Sequence, residues 1–383
     1  MSAVLEQEGS HSIERLARSE VVSLPAYNAG LSSQAVRERY GVRHIARLAS
    51  NENPFGASAA VTEALVGLAR QVHVYPDANC TALREAIAAR VGVAASEVVA
   101  GNGSENLLEM VCQAFLAPGD RVLTLTPSFG LHEIYPRMMG ARVETVPLTP
   151  ALGFDVDAWC AAVARAPKMV MLSNPSNPVG CILDTEAFGR LLAATPAGTL
   201  LVIDEAYYEY ARYAPGFPDA LAMLRAQQRP WIVLRTFSKA WGLAGLRVGY
   251  GIASDAQWTQ LLGRVRTPFN VNHAAQVAAL AAWGDEGHMQ NAVARTVARR
   301  AVMASRLQGM GLRVAPSAAN FLFIDLGRPN ASVNEALLAR GIIAKPWKEP
   351  GFEHFLRVSV GEPADNQRFL DALAEVLAAG PGS

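Results

Sequence analysis

Between about residue 80 and residue 265, short apolar runs alternate with longer segments whose apolar residues recur every three or four positions. The runs VVAG, RVLTLT, KMVMLS, TLLVID and WIVLRT are Val- and Leu-rich, and Gly, Pro or Asn bounds most of them. That pattern suits strands covered on both faces. Between them TALREAIAARVG, ENLLEMVCQAF and TEAFGRLLAAT carry helical stripes. Strand and helix in alternation predict right-handed βαβ units and a mostly parallel sheet flanked by helices, an α/β domain. Beyond about residue 270 the pattern changes. Two long helical segments, NHAAQVAALAAW and DEGHMQNAVARTVARRAVMASRLQGM, lead into short strands at NFLFIDL and HFLRVSV and a closing helix from Pro363. We therefore expect a large domain over residues 56–270 and a smaller α+β domain over 271–383. Residues 1–55, rich in turn formers around SNENPFGAS, are expected to form an N-terminal arm and part of the small domain.

Composition narrows the class. The chain has 383 residues, 51% hydrophobic and 18% charged, enough for more than one core. Lys plus Arg balances Asp plus Glu at 34 each, which gives no electrostatic footprint for nucleic acid or an acidic membrane. No apolar run approaches the ~18 residues of a membrane span. The first twenty residues lack an apolar stretch behind a basic start, so no signal peptide is expected. Cys80, Cys112, Cys160 and Cys181 are scattered, with neither a C-x-x-C pair nor a His cluster. They read as small core residues in a reducing compartment, with no metal site, and the expected location is cytoplasmic.

In an open α/β sheet the ligand site lies at the carboxyl ends of the strands. Four such ends are chemically loaded. VVAGNGSENLLEM runs from a strand through a Gly turn into a helix, the arrangement whose free N–H groups favour a phosphate. It is not the dinucleotide fingerprint, because Asn106 stands where a third glycine would. MVMLSNPSNPVG presents Asn177, and TLLVIDEAYYEY delivers Asp204 with Tyr207 three residues on. A carboxylate at the end of a buried strand is costly without a cationic partner. Taken singly, these read equally as a helix start, an Asn-Pro turn and a structural ion pair.

The fourth end, RTFSKAWGLAGLR, holds Lys239, one of four lysines in a chain whose other thirty basic residues are arginine. Only lysine loses its proton near neutral pH and condenses with a carbonyl, which arginine cannot do. Phe237, Trp241 and Leu243 around it do not fit a surface lysine. Arg247, with the hydroxyls of Thr236 and Ser238, suits a phosphate. An amine for an aldehyde, an acid for a pyridine nitrogen and a phosphate cradle together describe a pyridoxal 5'-phosphate site. Asn177 and Tyr207 would bond the ring hydroxyl, and Phe129 in TPSFGLHEIY would stack on the ring.

The motifs SNENPFG, VYPD, GNGSEN, SNPSNPVG, IDEAYYEY, RTFSKAWGLAGLRVGY and FLRVSVG, in this order over residues 50–361, resemble the fold-type I pyridoxal phosphate aminotransferases (class I/II). Within them they resemble the histidinol-phosphate aminotransferases. The resemblance implies that Lys239 forms the Schiff base and shuttles the proton, that Asp204, Tyr207 and Asn177 hold the ring, and that Gly103, Ser104, Glu105, Thr236, Ser238 and Arg247 hold the phosphate. It implies that Tyr75 reaches the neighbouring subunit's cofactor, hence a homodimer with shared sites. It implies that Arg357 grips the substrate carboxylate, and that Tyr27 and Lys345 contact a substrate phosphate. Lys345 stands where arginine is common in the family, and Phe269 where some members have tyrosine. Trp347 and Phe352 add aromatic surface. The expected reaction is amino transfer between L-histidinol phosphate and 2-oxoglutarate. The alternatives are an aromatic amino acid aminotransferase, a lyase like the threonine-phosphate decarboxylases, and the sensor part of a transcription regulator. The last would need a DNA-binding domain for which about fifty mixed-charge residues leave little room.

Overall fold

The computed structural model describes residues 13–25 and 30–379. Seven strands form its central sheet: β1 (Val98–Gly101), β2 (Arg121–Thr126), β3 (Arg142–Pro147), β4 (Met169–Ser173), β5 (Leu200–Asp204), β6 (Trp231–Thr236) and β7 (Gly249–Ala253). Their spatial order is β1-β7-β6-β5-β4-β2-β3. Every neighbouring pair is parallel except those involving β7, which runs antiparallel to both β1 and β6. All residues of β4, β5 and β6 are buried, as continuous apolar runs predict for strands sandwiched between helices. β3, at one edge, is largely uncovered.

Two apolar layers enclose the sheet. Trp159, Phe188, Ile203, Val233 and Phe237 pack on one face, and Leu107, Met171, Val202, Ile232 and Trp258 on the other. The successive side chains Val202 and Ile203 lie in opposite layers, the two-residue alternation of a strand.

The smaller sheet is antiparallel, in the order β10 (Lys345–Pro346), β11 (Phe355–Ser359), β9 (Phe321–Asp325), β8 (Arg313–Val314). Helices Glu286–Gly309, Asn330–Leu338 and Pro363–Ala378 cover it through Leu307, Val333, Leu337, Phe369 and Leu373. The segment before residue 55 contributes to this core: Ala46 and Leu48 belong to it, and Ala46–Arg47 pairs with Ile342–Ile343.

Polarity sets the position of the site. The parallel strands point their carboxyl ends the same way, so Gly101, Thr126, Ser173, Asp204 and Thr236 finish along one edge. Ser173 is in register with Asp204, and Asp204 with Leu234 on β6. On the small sheet Lys345 is directly opposite Arg357.

Among the described residues, no helix is long and apolar enough to cross a membrane, and no cluster of three or more His, Cys, Asp or Glu could hold a metal ion. The four cysteines are free thiols, and Cys80, Cys112 and Cys181 are buried.

Candidate active site

The strand ends and the facing small sheet enclose a cavity of about 540 Å³. Ser104, Glu105, Phe129, Asn177, Asp204, Tyr207, Thr236, Ser238, Lys239, Arg247, Lys345 and Arg357 all line it. Side chains separated by up to 253 positions thus meet in one chamber, because one sheet edge collects five loops and the second lobe closes the top.

Lys239 follows β6 in a loop anchored by Phe237, Ala240 and Trp241, all buried. Its Nζ donates to the Ser50 carbonyl at 2.9 Å. Burial, with Arg357 adding to it, brings the amine down to about 8. A lysine that loses its proton close to neutrality is the nucleophile that carbonyl chemistry requires.

Asp204 ends β5 almost fully buried. Its Oδ1 accepts from the Ala206 N–H at 3.0 Å, and its Oδ2 is 3.1 Å from Nε2 of His132. An ionised carboxylate only accepts, so Nε2 carries the proton and Nδ1 takes the Ser128 hydroxyl, 3.3 Å away. His132 is wholly buried and orients the acid. Sequence reasoning missed it. The quoted stretch TPSFGLHEIY contained it, but the helix Leu131–Met138 could only be joined to Asp204 once β2 and β5 were placed in one sheet.

Asn51 is a second such residue. It sits at φ +56°, buried, and its side-chain amide donates to the Tyr207 hydroxyl at 2.9 Å while its oxygen accepts from Ser359 at 2.9 Å. The SNENP stretch is therefore a clamp that sets the Tyr207 phenol against the small sheet. Arg357 donates to Asn177 Oδ1 at 2.6 Å and to the Ala49 carbonyl at 2.5 Å. Its guanidinium carbon is 5.9 Å from the Trp347 ring centre.

At the other end of the chamber, helix Ser104–Phe115 begins at Gly103 with no side-chain cap. Its first N–H groups are orphans of the kind that bind anions. Gly103 has φ +83°, which favours glycine, and a Cβ there would lie 2.8 Å from Arg247 Nη2 and push the guanidinium aside. Arg247 also approaches Ser238 Oγ at 3.4 Å and Glu105 Oε2 at 3.4 Å. The Ser238 N–H bonds Thr236 Oγ1 at 3.1 Å. Hydroxyls, a guanidinium and an uncapped helix start form a cradle that fits a phosphate, and Lys239 and Asp204 lie beside it in the same cavity. The residues present fit pyridoxal phosphate.

The contact expected of Tyr75 is with a neighbouring subunit. Tyr75 does not line the chamber: it is 77% exposed and stacks on Phe269, with ring centres 4.5 Å apart. Tyr27 falls outside the described residues.

The sequence profile of the class I and II aminotransferases matches residues 43–373. Histidinol-phosphate aminotransferase 3 of Rhizobium meliloti (strain 1021) is 47% identical over 363 residues, 95% of this chain and 98% of that protein. Histidinol-phosphate aminotransferase 1 of Mesorhizobium japonicum is also 47% identical, over 94% of this chain and 98% of its own length. Among solved structures, a histidinol-phosphate aminotransferase from Sinorhizobium meliloti in complex with pyridoxal 5'-phosphate superposes with a TM-score of 0.85 at 29% identity. The match covers 94% of this chain and 97% of that one.

Proposed function

The chain belongs to the class I and II aminotransferases, and on that premise we propose that it is a pyridoxal phosphate enzyme moving an amino group between L-histidinol phosphate and 2-oxoglutarate. The observation that supports this reading is the pairing of Lys345 with Arg357 on adjacent strands of the small sheet, where both line the Lys239 chamber. Two cations side by side suit a phosphate, and either substrate presents an anion there: the phosphate of histidinol phosphate or the α-carboxylate of glutamate. The relatives' names support the same substrate.

The bound cofactor supplies an electron sink for the carbanion at the substrate α-carbon. The chain's own residues do the rest. Lys239 Nζ, neutral in part near pH 8, takes and returns the proton of the α-carbon. Asp204, held by His132 and the Ala206 N–H, presents a carboxylate to the ring N–H. Tyr207 and Asn177, fixed by Asn51 and Arg357, serve the ring hydroxyl. Phe129 covers one face of the ring. Gly103, Ser104, Glu105, Thr236, Ser238 and Arg247 frame the cofactor phosphate. Arg357 binds the donor's anionic group through its forked N–H pair, and Lys345 adds a point charge.

In this reading residues 56–270 form the cofactor domain, and residues 271–383 with the N-terminal arm form the cover. Tyr75 and Phe269 project from the surface to complete the site of a second copy, giving a cytoplasmic homodimer with shared sites, and Tyr27 adds a contact to the substrate phosphate.

The test is the visible absorption of the holoenzyme on addition of L-histidinol phosphate, with L-phenylalanine in parallel. Bleaching at low histidinol phosphate, restored by 2-oxoglutarate with formation of glutamate and no carbon dioxide, is expected. Bleaching by phenylalanine alone moves the enzyme to aromatic amino acids, and release of carbon dioxide makes it a lyase.

A further inference from the structure

The cavity contains one acidic side chain that this chemistry leaves without a task. Glu349 follows β10 on the strap of the small lobe and lines the chamber together with Lys345, Trp347, Phe129 and Ile134. It is half-buried; Oε2 receives a long bond, 3.5 Å, from the Thr126 hydroxyl at the end of β2, and the Trp347 indole N–H and the Ser128 N–H also approach the carboxyl. Its surroundings are mixed: Glu133 approaches from helix Leu131–Met138, and Lys345 and Lys348 flank it on its own strap. A carboxylate at a partly desolvated site costs free energy unless a donor meets it. Thr126 is a distant donor and the Trp347 N–H makes no close bond, so the carboxyl keeps room for a further donor beside an aromatic wall.

We propose that Glu349 is the specificity-determining residue that accepts a hydrogen bond from the ring N–H of the donor's side chain, selecting an imidazole over a hydrocarbon ring of the same shape. The inference rests on the amino-phosphate reading above and extends it. Arg357 and Lys345 hold the anionic end of the donor, Lys239 faces its amine, and the third substituent of the α-carbon is left to the wall formed by Phe129, Ile134, Trp347 and Glu349. A flat aromatic ring there meets Trp347, and one that carries an N–H gives the carboxylate at its edge a further donor. A buried acceptor built for a donor discriminates strongly against an isostere lacking it, because the acceptor is then left unpaired. Burial and Glu133 hold the Glu349 carboxyl up at about 7.

The experiment compares single-turnover bleaching of the holoenzyme by L-histidinol phosphate and by L-phenylalaninol phosphate, which replaces imidazole with phenyl and keeps everything else. The wild type is expected to favour the imidazole compound. In E349L, which removes the acceptor, the ratio of the two kcat/KM values should fall by about tenfold or more, with cofactor absorbance and thermal unfolding as in the wild type. A ratio unchanged in E349L refutes the inference, and so does an equal loss on both compounds, which would mark a structural role. A wild type inert to histidinol phosphate refutes the amino-phosphate reading and this inference with it. An active wild type whose preference survives the substitution refutes this inference alone.

Discussion

Replacing His132 by Phe keeps a ring in a fully buried position while removing both nitrogens. Asp204 Oδ2 then loses its donor at 3.1 Å, and the Ser128 hydroxyl loses its acceptor at 3.3 Å. A hydrogen bond to a charged group contributes about 1.5–3 kcal/mol, and a neutral one about 1 kcal/mol. The cofactor-free variant should therefore be about 2.5–4 kcal/mol less stable in urea, followed by circular dichroism. Cofactor should recover part of that loss, because its ring N–H gives the carboxylate a new partner. The same 1.5–3 kcal/mol, lost where Asp204 must be held in place, slows the half-reaction roughly ten- to a hundredfold, at 1.4 kcal/mol per factor of ten. Stopped-flow bleaching by the amino donor reads that rate. A variant with wild-type stability and wild-type rate would show that His132 merely fills space and that Asp204 is held by other means.

Two further outcomes follow from the geometry. Burial, reinforced by Arg357, brings Lys345 down to about 8, so its charge is present below that pH and lost above it. KM for a phosphorylated donor should climb as pH rises through about 8, and in Lys345→Ala it should be high and flat; a wild type with a flat profile would remove Lys345 from phosphate binding. Gly249→Ala would set a Cβ 2.4 Å from the Ser104 nitrogen and 2.8 Å from the Gly103 carbonyl carbon, displacing the phosphate cradle. Overpacking of this kind costs about 1–3 kcal/mol, so cofactor affinity measured by equilibrium dialysis should fall roughly tenfold; unaltered affinity would mean the cradle does not hold the phosphate.

Where burial dictates composition, the sequence was readable. β4, β5 and β6 are covered on both faces, so they spell out unbroken apolar runs, and their polar terminal residues stand out against them. β7 was not legible. Its sequence GYGIA carries glycine at 249 and 251 because a Cβ would strike Ser104 and Ile232, and glycine erases the strand signature. The edge strand β3, RVETVP, escaped because half of it faces water. In the site, residues with scarce chemistry at strand ends declared themselves: Lys239, Asp204 and Arg247. His132, Asn51 and Glu349 did not. Their roles rest on partners between 72 and 308 positions away, and no local spacing encodes those distances.

The central claim is that Lys239 carries the cofactor and yields it to an amino donor. Borohydride reduction of the holoenzyme, followed by peptide mass spectrometry, tests it directly, since the chain has only four lysines. The account predicts permanent cofactor attachment at Lys239, and none after prior saturation with L-histidinol phosphate without 2-oxoglutarate. Attachment at Lys168, Lys345 or Lys348 instead, or attachment at Lys239 undiminished by the donor, would contradict it.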